Sequence, residues 1–162
     1  MNQFADNYDS RVFWVGIGCN SKTEPLLIEM AIDHVFGEYH LPQSAMLGAT
    51  IFDSIAGFAT IDHKAPVIEF CVARNLPLKT FSAEVLQNVI VPHPSQVVAM
   101  KVDTPSVAEA AAILACRAKS QSRKGENIAN LIVPKQIFRA SGLSGVVTIA
   151  VAEGERVNGE AL

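Results

Sequence analysis

The sequence predicts an α/β protein, a three-layer α/β/α sandwich with a mostly parallel central sheet of about five strands. Two observations carry this. Apolar, β-branched runs alternate with segments whose apolar residues recur at three- and four-residue spacing, the pattern of strands alternating with helices. The first runs are apolar at consecutive positions, as in RVFWVGIGC over Arg11–Cys19, so both faces of the sheet are covered.

The elements follow in order. Arg11–Cys19 is a buried strand, and Asn20–Glu24 a polar turn. Pro25 to about His40 is a helix, with Leu27, Met30, Ala31, His34 and Val35 at helical spacing and Pro25 suited to its first turn. Leu41–Asp53 is a loop holding Pro42 and Gly48. Ile55–Asp62 is a second strand. Ala65–Arg74 is a short helix with Ile68, Cys71 and Val72 on one face. Leu76–Phe81 is a third strand, after which Ser82 can cap a helix over Ala83–Val89. Pro92 and Pro94 make Ile90–Asp103 irregular. In TPSVAEAAAILACRAKS, Thr104 with Pro105, and Ser106 with Glu109, offer two competing helix starts, and the boundary stays open. Gln121–Asn130 is a polar loop. Leu131–Pro134 and Val146–Ala152 are the last strands, around a turn at Ser141–Gly142, and add an antiparallel edge. Residues 11–153 are expected to form one domain, with flexible tails over 1–10 and 154–162. No internal repeat or linker is visible.

Composition narrows the function. The chain has 162 residues, 49% hydrophobic and 18% charged, a globular balance. Thirteen basic and sixteen acidic residues leave a net charge of −3, which argues against a dedicated nucleic-acid or membrane-surface binder. No apolar run reaches the length of a membrane span. The first ten residues lack a basic start and an apolar stretch, so no signal peptide is expected and the cytoplasm is the expected compartment. Cys19, Cys71 and Cys116 contain no C-x-x-C pair, which argues against a disulfide framework or structural zinc. His34, His40, His63 and His93 show no metal-ligand spacing. Neither a metal nor a cofactor is expected.

In open parallel sheets, ligands sit beyond the carboxyl ends of the strands. The first strand ends in Gly16-Ile-Gly18-Cys19-Asn20-Ser21-Lys22-Thr23. Glycines, a helix N-terminus and Lys22 together suggest an anion cradle. The run is close to a P-loop, with Ser21 in place of the second glycine. A small nucleotide- or phosphate-binding enzyme using GIGCNSKT is therefore the alternative function. At that position the Cys19 thiol can be lowered in pKa, though no partner base is identifiable. The second strand ends in Thr60-Ile61-Asp62-His63-Lys64, and the third in Phe81-Ser82-Ala83-Glu84. Ser106 and Glu109 begin a further helix. Arg117, Lys119, Arg123 and Lys124 read as a solvated basic loop.

Six segments resemble one family in order: Gly16-Ile-Gly18-Cys19; Ala59-Thr60-Ile61-Asp62-x-Lys64; Phe81-Ser82-Ala83-Glu84-x-Leu86; Pro105-Ser106-Val107-Ala108-Glu109-Ala110-Ala111; Val133-Pro134-Lys135; and Thr148-Ile149-Ala150-Val151-Ala152. Over residues 12 to 153 the chain resembles the C-terminal domain of the cobalamin-biosynthesis protein CbiG and its standalone CobE-like form. The resemblance implies a role in building the corrin ring of vitamin B12, with a precorrin or cobalt-precorrin as ligand and other corrin-pathway enzymes as partners. Full-length CbiG proteins open a lactone on cobalt-precorrin-5A and release acetaldehyde, using additional domains N-terminal to this one. Only about ten residues precede the first strand here, so a hydrolase step is expected only with a partner that supplies those domains.

Precorrins are flat macrocycles edged with carboxylates, so their site needs an apolar face and several anion contacts. The candidate binding residues are Gly18, Cys19, Ser21, Lys22, Thr60, Asp62, Lys64, Ser82, Glu84, Ser106, Glu109 and Lys135. A base for water activation would come from Asp62, His63, Glu84 or Glu109; the sequence does not rank them.

Overall fold

A computed structural model describes residues 11–41, 51–89, 106–117 and 131–155. The elements are β1 (Arg11–Cys19), α1 (Pro25–Glu38), a 3₁₀ turn (Ile51–Ser54), β2 (Ile55–Ile61), α2 (Ala65–Ala73), β3 (Leu78–Phe81), α3 (Ala83–Gln87), α4 (Val107–Arg117), β4 (Leu131–Phe138) and β5 (Val147–Glu155). Pro25 and Pro66 fall in the first turns of α1 and α2, where a missing N–H costs nothing.

The five strands lie in the order β3-β2-β1-β5-β4. β1 pairs with β2, and β2 with β3, in parallel; β5 pairs antiparallel with both β1 and β4. Four strands therefore point one way and β5 alone opposes them. The last two strands form the antiparallel pair at one edge that the sequence pattern predicts, with β5 on the inner side. Val147, Ile149, Ala150, Val151 and Ala152 are all fully buried, so β5 needs cover on both faces and a neighbour on each side. β4 takes the edge. It carries Pro134, which cannot donate to a ladder and is tolerated at an edge, and its register slips on both sides of Val133. The strand does not end at Pro134, as expected, but continues to Phe138. β5 likewise runs past Ala152 to Glu155, which pairs with Arg11.

The two crossovers β1-α1-β2 and β2-α2-β3 step the same way along the sheet, so right-handedness puts α1 and α2 on one face. There Phe13, Val15, Ile17 and Phe58 meet Leu27, Ile28, Phe36, Val67 and Phe70. Phe58 and Phe70 meet edge to face, with centroids 5.9 Å apart. Burial of each such side chain contributes about 1.5–3 kcal/mol. Trp14 and Ala59 face the other way, against Leu86, Ala110, Ala111 and Ile113 of α3 and α4.

α4 lies close against the strands because both surfaces are small. Its sequence is VAEAAAILACR, and it meets β1 at Gly16. A Cβ on Gly16 would collide with the Ala108 carbonyl and stand 2.9 Å from the Ala112 nitrogen. Among the described residues, no helix is long and apolar enough to cross a membrane.

Candidate functional site at the strand carboxyl ends

The carboxyl ends of β1, β2, β3 and β4 and the start of β5 share one edge of the sheet, since Cys19 and Phe138 both pair with Val147. The start of α4 lies there too: a Cβ on Gly18 would sit 3.6 Å from the Cβ of Val107.

The turn after β1 is held from within. Thr23, 5% exposed, donates its hydroxyl to Asn20 Oδ1 at 2.8 Å and approaches the Val146 carbonyl at 3.4 Å. The Glu24 carboxylate accepts the Ser144 N–H at 2.6 Å, and the Glu24 N–H donates to the Ser144 carbonyl at 3.3 Å. The β4–β5 turn thus clamps the β1–α1 turn. Of the expected anion cradle, the exposed tip of this turn holds Ser21 and Lys22. Gly16 and Gly18 are strand residues paired with Ala150 and Thr148; the missing side chain of Gly16 admits α4, whereas a Cβ on Gly18 would meet only ordinary contacts. The threonine that a P-loop would turn toward a metal is buried in its own turn.

Cys19 is half-buried beside this turn. Burial pushes its thiol pKa up; the nearby Lys64 ammonium and a hydrogen bond with Thr23 pull the other way and do not prevail. The lowered pKa that its position before a helix suggested is not observed.

At the end of β2, Thr60 is fully buried and donates its hydroxyl to the Ile17 carbonyl at 2.6 Å. It ties β2 to β1, and its surface is closed to a ligand. Asp62 is half-buried, and its N–H donates to the Phe81 carbonyl at 2.9 Å. His63 is exposed, with φ at +61°. Lys64 is half-buried at the N-cap of α2, which no side chain caps. At the end of β3, Ser82 caps α3, its hydroxyl accepting the Val85 N–H at 3.3 Å, while Glu84 is exposed.

Ser106 caps the described start of α4. Its hydroxyl accepts the Glu109 N–H at 3.4 Å and its carbonyl accepts the Ala110 N–H at 3.0 Å. Thr104, Pro105, His93, Lys119, Arg123 and Lys124 lie outside the described residues, as does the side chain of Arg117. Glu109 is fully buried, and its carboxylate accepts the backbone N–H of Lys135 at 3.1 Å. The carboxylate thus reaches across to the irregular part of β4. The spacing of Ser106 and Glu109 carried a signal for the cap but none for this link.

The candidate residues therefore fall into two groups. Ser21, Lys22, Asp62, Lys64, Ser82 and Glu84 rim the ends of β1, β2 and β3, with Cys19 beneath them. Ser106 caps α4, and Glu109 joins that helix to Lys135 of β4. The sequence reading missed Leu26 and Val85, apolar side chains 52% and 45% exposed in the first turns of α1 and α3; an exposed apolar residue leaves no periodic signal. Among the described residues, no cluster of three or more His, Cys, Asp and Glu could hold a metal ion.

Residues 13–152 match the model of a protein family described as Cobalamin synthesis G C-terminus. The chain belongs to that family. Solved structures share the fold of this cobalamin synthesis G C-terminus domain. One is CobE, described as a protein from the cobalamin (vitamin B12) biosynthetic pathway, at a TM-score of 0.66 and 20% identity over 88% of this chain and 93% of that one. Another is the cobalamin biosynthesis protein chiG from Agrobacterium tumefaciens str. C58, at a TM-score of 0.52 and 23% identity over 87% of this chain and 97% of that one. No curated protein sequence matches the chain. Within the domain, the family-like segments ending at Cys19, Lys64 and Leu86 flank the strand-end rim. Those containing Glu109 and Lys135 are joined by the buried hydrogen bond.

Proposed function

We propose that this cobalamin synthesis G C-terminus domain binds a precorrin or cobalt-precorrin across the carboxyl ends of β1, β2 and β3. One observation carries the reading. Three adjacent strand ends hold Lys22 and Lys64 alongside the exposed Leu26 and Val85. Among the described residues neither ammonium takes part in an ion pair. Neighbouring strands are about 4.8 Å apart, so the three ends span roughly 10 Å before their turns are added. A flat ring with carboxylates at its rim needs such a surface, apolar patches between separated cations. Ser21 and Ser82 add hydroxyls at the same rim.

If the ligand's lactone is opened here, Asp62 and Glu84 are the carboxylates placed at the rim to serve as its base. Glu109 is fully buried and holds Lys135, so it serves the framework. A partner protein completes the step. The alternative phosphate site loses its support from the inward-turned Thr23 and from Gly16 packed beneath α4. The reading fits a reducing cytoplasm, with Cys19, Cys71 and Cys116 all free thiols. Absorbance titration of the chain with a corrin carboxylate, with calorimetry of Mg-ATP in parallel, tests corrin against nucleotide.

A further inference from the structure

Three non-glycine residues adopt the left-handed backbone region: His40, His63 and Asn75. Two end helices. His40 and Asn75 follow α1 and α2, and in each case the next N–H returns to a carbonyl five residues back, Leu41 to Phe36 at 3.0 Å and Leu76 to Cys71 at 2.9 Å. That is how helices commonly end. His63 ends no helix. It stands with Asp62 in the turn between β2 and the N-cap of α2, and that turn sets its positive φ.

Its side chain is uncommitted. His34, by contrast, pairs with Glu38 at 2.8 Å and packs on Phe138. The His63 imidazole is exposed and, among the described residues, makes no hydrogen bond, ion pair or ring contact. Its place is also particular. β2 is the middle strand of the parallel three, so His63 rises from the centre of the rim. The β1 turn with Lys22 lies on one side and Ser82 on the other. In a metal-bearing corrin the carboxylates are at the edge and the cobalt at the centre. A site that grips the edge with lysines has its axial position above the middle.

We infer that His63 is an axial ligand to the cobalt of a bound cobalt corrin, so that the site distinguishes cobalt-containing from cobalt-free rings. This rests on the corrin reading above. The neutral imidazole donates a ring-nitrogen lone pair to the cobalt in place of an axial water; nothing is oxidised or reduced.

The test uses cobyrinic acid, reduced to cobalt(II), and its cobalt-free analogue with the full chain. Electron paramagnetic resonance of the bound cobalt(II) should show each line split into a nitrogen triplet. His63→Gly removes the imidazole and suits the positive φ; His63→Asn is a second variant, since asparagine also tolerates this backbone. Both should lose the triplet and bind the cobalt corrin about tenfold more weakly, with cobalt-free binding unchanged. A cobalt corrin that binds without the triplet, or a triplet that survives in both variants, overturns the assignment and leaves the corrin reading standing. Failure of both rings to bind overturns the corrin reading, and this inference with it.

Discussion

Gly16 on β1 and Ala108 on α4 meet backbone to backbone: a Cβ on Gly16 would run into the Ala108 carbonyl, with the Ala112 nitrogen 2.9 Å away. Neither neighbour is the end of a flexible side chain, so nothing can swing aside. Gly18, two residues on, meets only ordinary contacts at 3.6–3.8 Å. Gly16→Ala should cost about 3 kcal/mol or more. Gly18→Ala should change stability by less than about 1 kcal/mol. Urea unfolding of the two variants separates them, and equal effects would sink the packing account of the glycine pair.

Thr60 is buried, with its hydroxyl on the Ile17 carbonyl. Thr60→Val keeps the shape and removes the donor, and is expected to cost about 1–2 kcal/mol. Corrin affinity of the folded variant should match that of the parent chain. A large loss of affinity at unchanged stability would return Thr60 to the binding surface.

The clamp between the two turns predicts a second pair. Gly145 has φ at +100°, and a Cβ there would come within 2.5 Å of Thr23 Cα. Gly145→Ala should destabilise by about 1–3 kcal/mol. Glu24→Ala frees the Ser144 N–H at an exposed position and should cost no more than about 1 kcal/mol. Thermal unfolding reads both.

Burial pushes the thiol pKa values of Cys71 and Cys116 up to about 12, from a usual 9.0, against the weaker pull of Arg74 and Lys79 respectively. The folded state then holds protons that the unfolded state releases. Stability from these groups is fully present below pH 9 and is lost as the pH rises toward 12. Cys71→Ala should flatten that decline, measured by urea unfolding from pH 8 upward. Cys19, whose thiol is also raised, should react with iodoacetamide more slowly than a free cysteine at pH 8. Faster reaction would mean that Lys64 governs the thiol after all.

Much of this was legible in the chain. The runs at Arg11–Cys19 and Ile55–Asp62, and the proline opening α1, mark the β-α-β-α-β half because their signals are local. The place of β5 within the antiparallel edge pair was not legible. Which strand lies beside β1 depends on pairing across more than a hundred residues, and VTIAVAE reads the same at an edge or inside. Pro134 looked like a stop because a proline ends most strands; only the edge position lets β4 continue. Gly16 and Gly18 were open to two readings, since a missing side chain serves a phosphate and a close helix equally well. Glu109 gave the reverse difficulty. Its capping spacing was visible, but its partner, the Lys135 N–H, is fixed only by tertiary packing. At the site, the rim lysines were readable from the strand ends, and the exposed Leu26 and Val85 were not.

The most direct measurement is the absorbance titration of the chain with a corrin carboxylate, repeated for Lys64→Ala and Lys22→Ala at two salt concentrations. Binding should saturate near one ring per chain and weaken with salt. Each substitution should cost about tenfold or more in affinity, the loss of one charge-assisted contact. Saturable binding that is indifferent to both lysines would contradict the strand-end site. No spectral change at all, with heat evolved on adding Mg-ATP, would contradict the corrin reading itself.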